Sequence, residues 1–144
     1  MKKIFLLFLL INYVSFSQIH KPITWETSVE KISNTEYLLI FTANIKKDWI
    51  LYSMNIPEDG PLPTVFSFDK NADIKLLGKT TEEKGMIKYE EVFNMNVTYF
   101  KDKTTFKQRI QTSKKTLKIS GVIDYMTCNK EGCIPDYHEF EIEI

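Results

Sequence analysis

Two runs of regularly alternating residues bracket the only two cysteines of this chain. Before them, Leu117, Ile119, Gly121, Ile123 and Tyr125 alternate with Lys118, Ser120, Val122 and Asp124. After them, His138, Phe140, Ile142 and Ile144 alternate with Glu139, Glu141 and Glu143. A period of two places one set on each face of a strand. The segment between, Tyr125-Met126-Thr127-Cys128-Asn129-Lys130-Glu131-Gly132-Cys133-Ile134-Pro135, reads as a loop joining two strands.

The rest of the chain fits the same architecture. Residues 37–43 form an apolar, β-rich run, as a strand buried on both faces would. Trp49-Ile50-Leu51-Tyr52 is a shorter run, and Pro57, Pro61, Pro63 and Gly60 then interrupt any ladder. Residues 64–68 resume with Phe66 and Phe68 on one face; residues 74–77 end at Gly78, and Lys84-Gly85 reads as a turn. Val97-Thr98-Tyr99 and residues 106–110 suit half-buried strands. No stretch keeps a helical period. Eight or nine short strands at this spacing imply an all-β antiparallel sandwich.

Residues 1–17 read as a secretory signal. Lys2 and Lys3 precede an apolar run, and Ser15 and Ser17 are small residues before a cleavage point at Gln18. The run is too short for a membrane span, which needs ~20 residues. The expected mature chain is residues 18–144, one domain, with Lys and Arg reduced from 19 to 17 against 19 Asp and Glu. A balance of about −2 lacks the basic patch that nucleic-acid binding requires. Export predicts a periplasmic location in which disulfides persist.

A bond between Cys128 and Cys133 would close a ring of about six residues, stabilising by roughly 2 kcal/mol against nearly 5 for a hundred-residue loop. A close pair on an exposed turn suits a bond that is made and broken, although an inert local staple stays open on these residues alone. Exchange needs a thiolate, a resolving sulfur and access for the attacking protein. Gly132 is expected to supply a permissive dihedral and Pro135 to limit the return into the last strand. Lys130 favours a thiolate while Glu131 and Asp136 oppose it. The expected Cα separation is the usual ~4.4–6.8 Å.

The loop also carries a resemblance. Tyr125-Met-Thr-Cys128, four residues, then Cys133-Ile-Pro135 resembles the active-site signature of the N-terminal periplasmic domain of DsbD, a thiol:disulfide interchange family. Trp49-Ile-Leu-Tyr52 is similar to its aromatic strand, and Gly60-Pro61-Leu-Pro63-Thr64 with Phe66 and Phe68 to its proline-rich turn. The resemblance implies an immunoglobulin-like sandwich and a redox pair, Cys128 and Cys133. Such a pair takes electrons from a thioredoxin-like or membrane-fed partner and passes them to oxidised periplasmic proteins. It further implies that Phe93, in the segment 89–93, caps the cysteines. Tyr52, Glu90 and Tyr125 would line their surroundings, with Cys133 the exchanging sulfur. No cofactor is implied. Three departures stand out: four residues between the cysteines rather than five, Asp136 in place of a second proline, and an end at Ile144 that suggests a stand-alone version.

Rival readings use the same residues. A non-catalytic immunoglobulin-like binding module would hold an ordinary disulfide. A metal or cytochrome-maturation carrier would use Cys128, Cys133 and His138 as soft ligands with Asp136 nearby, although the spacing matches no standard zinc motif. His138 falls on the apolar face of its strand, where a core histidine is the simpler outcome. The Glu139, Glu141 and Glu143 row reads as a solvated face. Trp25 and Trp49 read as packing, and the Asn96-Val97-Thr98 sequon sits in a strand-like run.

Overall fold

The computed structural model describes residues 21–144, so the predicted signal sequence lies outside the described residues. Ten strands and no helix fill the described chain. They are β1 (Ile23–Lys31), β2 (Glu36–Ile45), β3 (Ile50–Tyr52), β4 (Val65–Phe68) and β5 (Lys75–Glu82), followed by β6 (Met86–Glu90), β7 (Met95–Phe100), β8 (Lys103–Gln111), β9 (Lys118–Cys128) and β10 (Cys133–Glu143). One sheet has the order β1-β2-β8-β5; the other has β10-β9-β3-β7-β6, with β4 also pairing β9. Every pairing is antiparallel. The expected all-β sandwich is therefore the observed one.

Its core lies between the sheets. Leu39, Phe41, Phe106 and Ile110 come from the four-stranded sheet, and Leu51, Ile119, Ile123, Tyr125, Phe140 and Ile142 from the other. The rings interlock: Phe41 lies 4.9 Å from Phe140 and 5.0 Å from Phe66, with edge-on or tilted planes of the kind aromatic pairs favour.

The structure corrects two local expectations and adds one strand. Strand β2 is not buried on both faces: Leu39, Phe41, Ala43 and Ile45 are buried but Leu38 and Ile40 only half-buried, because no further layer covers the outside of that sheet. Gly78 does not end a strand. It sits at φ 73° inside β5, where the register against β8 shifts between Leu77 and Thr81, a bulge that glycine accommodates without steric cost. Strand β1 was hidden in the sequence by its mostly exposed residues.

Candidate functional site

Strands β9 and β10 form a hairpin in which Cys128 and Cys133 face each other directly. Their sulfurs are bonded at 2.02 Å, with the Cα atoms 4.0 Å apart. That is closer than the range expected from the sequence, because opposed residues at a non-hydrogen-bonded position of an antiparallel ladder approach most closely. The loop is pinned by Asn129. Its backbone N–H donates to the Gly132 carbonyl at 2.9 Å, and its Oδ1 accepts from the N–H groups of Glu131 (2.8 Å) and Gly132 (3.0 Å). Gly132 does not adopt a left-handed dihedral; Gly78 is the positive-φ glycine among the described residues. Asparagine side-chain bonding, rather than glycine freedom, turns this loop. An Asn directly after the first cysteine was the readable signal.

The two sulfurs belong to different environments. Cys128 lies on an interior strand, between β10 and β3, and is only 4 % exposed. It packs with Ile50, Tyr52 and Val97 in a small cluster on the outer face of the six-stranded sheet, flanked by Ile56, Met95, Tyr99 and Met126. Cys133 begins the edge strand and is exposed. It borders a groove of about 410 Å³ lined also by Trp49, Asn129, Glu131 and Ile134.

Tyr52 is the aromatic floor of the Cys128 cluster, 1 % exposed. Its hydroxyl donates to Glu90 Oε2 at 3.1 Å, and Lys88 Nζ lies 2.5 Å from the same oxygen. The Lys88 ammonium also sits 5.9 Å from the Tyr52 ring and 5.5 Å from that of Tyr99. Burial above all, and then the Glu90 carboxylate, hold the Tyr52 hydroxyl pKa well above its usual value. Tyr52 is thus a fixed donor at neutral pH. Lys88 was missed in the sequence, where nothing distinguishes it from other surface lysines.

Other predicted site residues separate from this cluster. Tyr125 points into the sandwich core, on the opposite face of β9 from Cys128, with its ring 5.6 Å from Trp25. Its hydroxyl donates to Asp136 Oδ2 at 3.0 Å. Phe93 lies in the turn between β6 and β7, half-buried and outside both core clusters, and its N–H donates to the Glu90 carbonyl at 3.2 Å. The next-door Val92 is 84 % exposed. His138 faces Ile123 across the ladder and stacks on Trp25 at 6.3 Å, away from the sulfurs. Burial chiefly, then Lys21, lowers its pKa. Among the described residues no group of three or more His, Cys, Asp or Glu could hold a metal ion. Glu139, Glu141 and Glu143 are exposed, with Glu141 2.8 Å from Lys118 Nζ.

Residues 22–143 match the family described as thiol:disulfide interchange protein DsbD, N-terminal. The chain belongs to this family. Among solved structures it is similar to the reduced DsbD N-terminal domain of Neisseria meningitidis, with TM-score 0.59 and 18% identity over 85% of this chain and 86% of that one. The N-terminal periplasmic domain of ScsB from Proteus mirabilis gives TM-score 0.61 at 12% identity, covering 85% of this chain and 47% of that one. A complex between the DsbD and PilB N-terminal domains of Neisseria meningitidis gives 0.51 at 16%, over 82% and 81%. No curated protein matches the chain. The sandwich is therefore the immunoglobulin-like fold of DsbD N-terminal domains, and its hairpin carries a disulfide-forming pair.

Proposed function

We propose that this DsbD N-terminal domain is a periplasmic thiol–disulfide exchanger, reduced by a thioredoxin-like donor and reoxidised by disulfide-bonded periplasmic proteins. The observation that carries the reading is the asymmetry of the pair: Cys133 exposed on an edge strand, Cys128 buried beside Tyr52. Attack on a disulfide selects the accessible sulfur. A donor thiolate attacks Cys133 Sγ, the Cys128–Cys133 bond breaks, and its electron pair leaves on Cys128 Sγ, which takes a proton. The donor's second thiolate then attacks its own sulfur in the mixed disulfide and frees Cys133. Two electrons and two protons have entered the domain. The return half-reaction runs from the Cys133 thiolate to an acceptor disulfide, with Cys128 resolving.

The surroundings support this direction of attack. Tyr52, with Glu90 and Lys88, closes the floor beneath Cys128, so that sulfur leaves and returns within a fixed pocket. Phe93, in the turn after β6 and bonded through its N–H to the Glu90 carbonyl, is the proposed lid, which partner docking would bring over or away from the pair. That a related DsbD domain forms a complex with a PilB domain supports a protein as the partner.

Single-cysteine variants test the reading. With Cys128→Ala, the remaining exposed thiol should trap mixed disulfides with periplasmic proteins. With Cys133→Ala, the buried Cys128 should trap far fewer. The reduction potential should lie above about −300 mV, the region of exchanging rather than structural disulfides. A lower potential with no trapping by either variant would favour the binding module with an inert staple.

A further inference from the structure

Four segments meet at the end of the sandwich that holds the cysteines. The start of the described chain, residues 21–22, is tied to the β2–β3 turn, where the Lys46 N–H donates to the Pro22 carbonyl at 2.8 Å. That turn is tied in its turn to the one between β7 and β8, where the Ile45 N–H donates to the Asp102 carbonyl at 2.7 Å. It then runs through Trp49, which lines the groove of Cys133, to Ile50, the ladder partner of Cys128. The cysteine loop is the fourth segment.

These segments gather six exposed lysines: Lys21, Lys46, Lys47, Lys101, Lys103 and Lys130. They also hold three carboxylates, Asp48, Asp102 and Glu131. Two of the three answer to the backbone. Asp48 and Asp102 turn the chain at φ 69° and 59°, a conformation that aspartate tolerates. The lysines answer to nothing comparable, and the four ion pairs among the described residues include none of them. Lys101 instead sets its Nζ 5.6 Å from the ring of Tyr99, a neighbour of the Cys128 cluster. It follows Phe100, the ladder partner of Leu51, so its backbone lies two strand spacings, roughly 10 Å, from that of Cys128. Charges at that range still act, because the Debye length is about 8–10 Å near physiological ionic strength.

This gathering runs against the overall balance of the chain. Residues 21–144 carry 17 Lys and Arg against 19 Asp and Glu; this end takes six and three of them, leaving eleven and sixteen elsewhere. Like charges held together repel one another, and an anionic occupant relieves that repulsion. A membrane surface seated here would cover exposed Cys133, the sulfur that exchange requires to be open. A protein brings its charge and its cysteine together.

We infer that this lysine rim is an electrostatic docking surface favouring redox partners whose own surface is acidic around the reacting cysteine. The inference rests on the exchange reading above and adds to it a rule by which partners are chosen. Charges at the margin of an interface act mainly on the rate of association and its salt dependence. The rim therefore speeds encounter without adding contacts that must break before release, as a carrier that meets donor and acceptor in turn requires.

The test uses the full mature chain carrying Cys128→Ala, or Cys128→Ser if the alanine variant does not fold. Two short synthetic peptides each present one cysteine as a pyridyl disulfide, flanked by glutamates in one and by lysines in the other. The Cys133 thiolate attacks the peptide sulfur and the new disulfide forms. Thiopyridone leaves with the electron pair, takes a proton and is followed by its absorbance. At low salt the glutamate peptide should react about tenfold faster than the lysine peptide, the lower end of electrostatic steering. In roughly 1 M salt, where the Debye length is ~3 Å, the rates should converge. Lys46→Gln, Lys47→Gln, Lys101→Gln and Lys130→Gln together should bring the low-salt ratio close to one. The same change at Lys31, Lys70, Lys75 and Lys115, exposed at the other end of the sandwich, should leave most of it. Equal rates, a faster lysine peptide, or equal losses from both sets of substitutions would overturn the rim while leaving thiol exchange intact. Cosedimentation with phosphatidylglycerol vesicles that the rim substitutions abolish would assign the rim to a membrane surface and overturn it as well. Failure of Cys133 to react with either peptide would overturn both readings.

Discussion

Two buried tyrosines, one on each face of the six-stranded sheet, each donate a hydroxyl proton to a carboxylate. Tyr125 and Asp136 do so on the core side, Tyr52 and Glu90 on the outer side. In both, burial first and the carboxylate second hold the hydroxyl in its neutral form. Yet only Tyr52 shares a cluster with Cys128. Tyr125, which opens the cysteine signature in sequence, packs among Trp25 and the sandwich core. A period of two is the reason: Cys128 lies three positions after Tyr125, an odd offset, so they face opposite ways. Sequence proximity thus marks a residue of the fold here, and a residue from a distant strand supplies the surroundings of the sulfur.

The largest expected effect separates the two faces by stability. Phe41→Ala empties the centre of the ring cluster on the core side and should cost about 3–5 kcal/mol in a urea titration. Reducing the disulfide should cost much less, about 2 kcal/mol, because its ring is short. A reduced protein that unfolds outright would show that the outer face carries the fold, and the comparison would fail.

The tyrosines themselves give a finer test. Tyr52→Phe and Tyr125→Phe should each lose about 1 kcal/mol, the net value of one hydrogen bond. The pH dependence should also match. Each hydroxyl titrates later folded than unfolded, so its contribution is complete below the ordinary tyrosine value near 10 and declines as pH rises beyond it. Each phenylalanine variant should remove its share of that alkaline loss. In redox kinetics they should diverge, with Tyr52→Phe changing the rate of reduction by dithiothreitol and Tyr125→Phe leaving it alone. Equal kinetic effects would erase the distinction between the faces.

What the sequence disclosed follows the same division. The alternation in β9 and β10, the proline-rich break and the cysteine loop are local patterns, and all were legible. The exposed Glu139, Glu141 and Glu143 row was equally plain. The links that assemble the site are not local. Glu82 accepts hydrogen bonds from Ser53 Oγ (2.5 Å), the Met54 N–H (2.8 Å) and Asn55 Nδ2 (2.7 Å), fixing the segment that follows Tyr52 from 27 to 29 residues away. No spacing in the sequence announces such a contact. Gly132 misled because glycine in a tight loop suggests a left-handed dihedral, whereas the Asn129 side chain had already supplied the turn.

The smallest expected change in stability belongs to Phe93, the residue proposed as a lid. An exposed dithiol in an oxidising compartment would react indiscriminately, so a ring that a partner can displace reconciles access with selectivity. Phe93 is half-buried and outside both core clusters, so its ring is not committed to the fold; its N–H bonds to the Glu90 carbonyl. A core phenylalanine costs about 3–5 kcal/mol on truncation, whereas surface positions usually stay within about 0.5 kcal/mol. Phe93→Ala should therefore lower stability by no more than about 1 kcal/mol, between those limits, while reduction by a small thiol accelerates. Stopped-flow reduction with dithiothreitol beside a urea titration of the same variant measures both. Unchanged kinetics with a core-sized loss would place Phe93 with Phe41 among the residues of the fold, leaving Tyr52, flanked by Tyr99, as the aromatic packed in the Cys128 cluster.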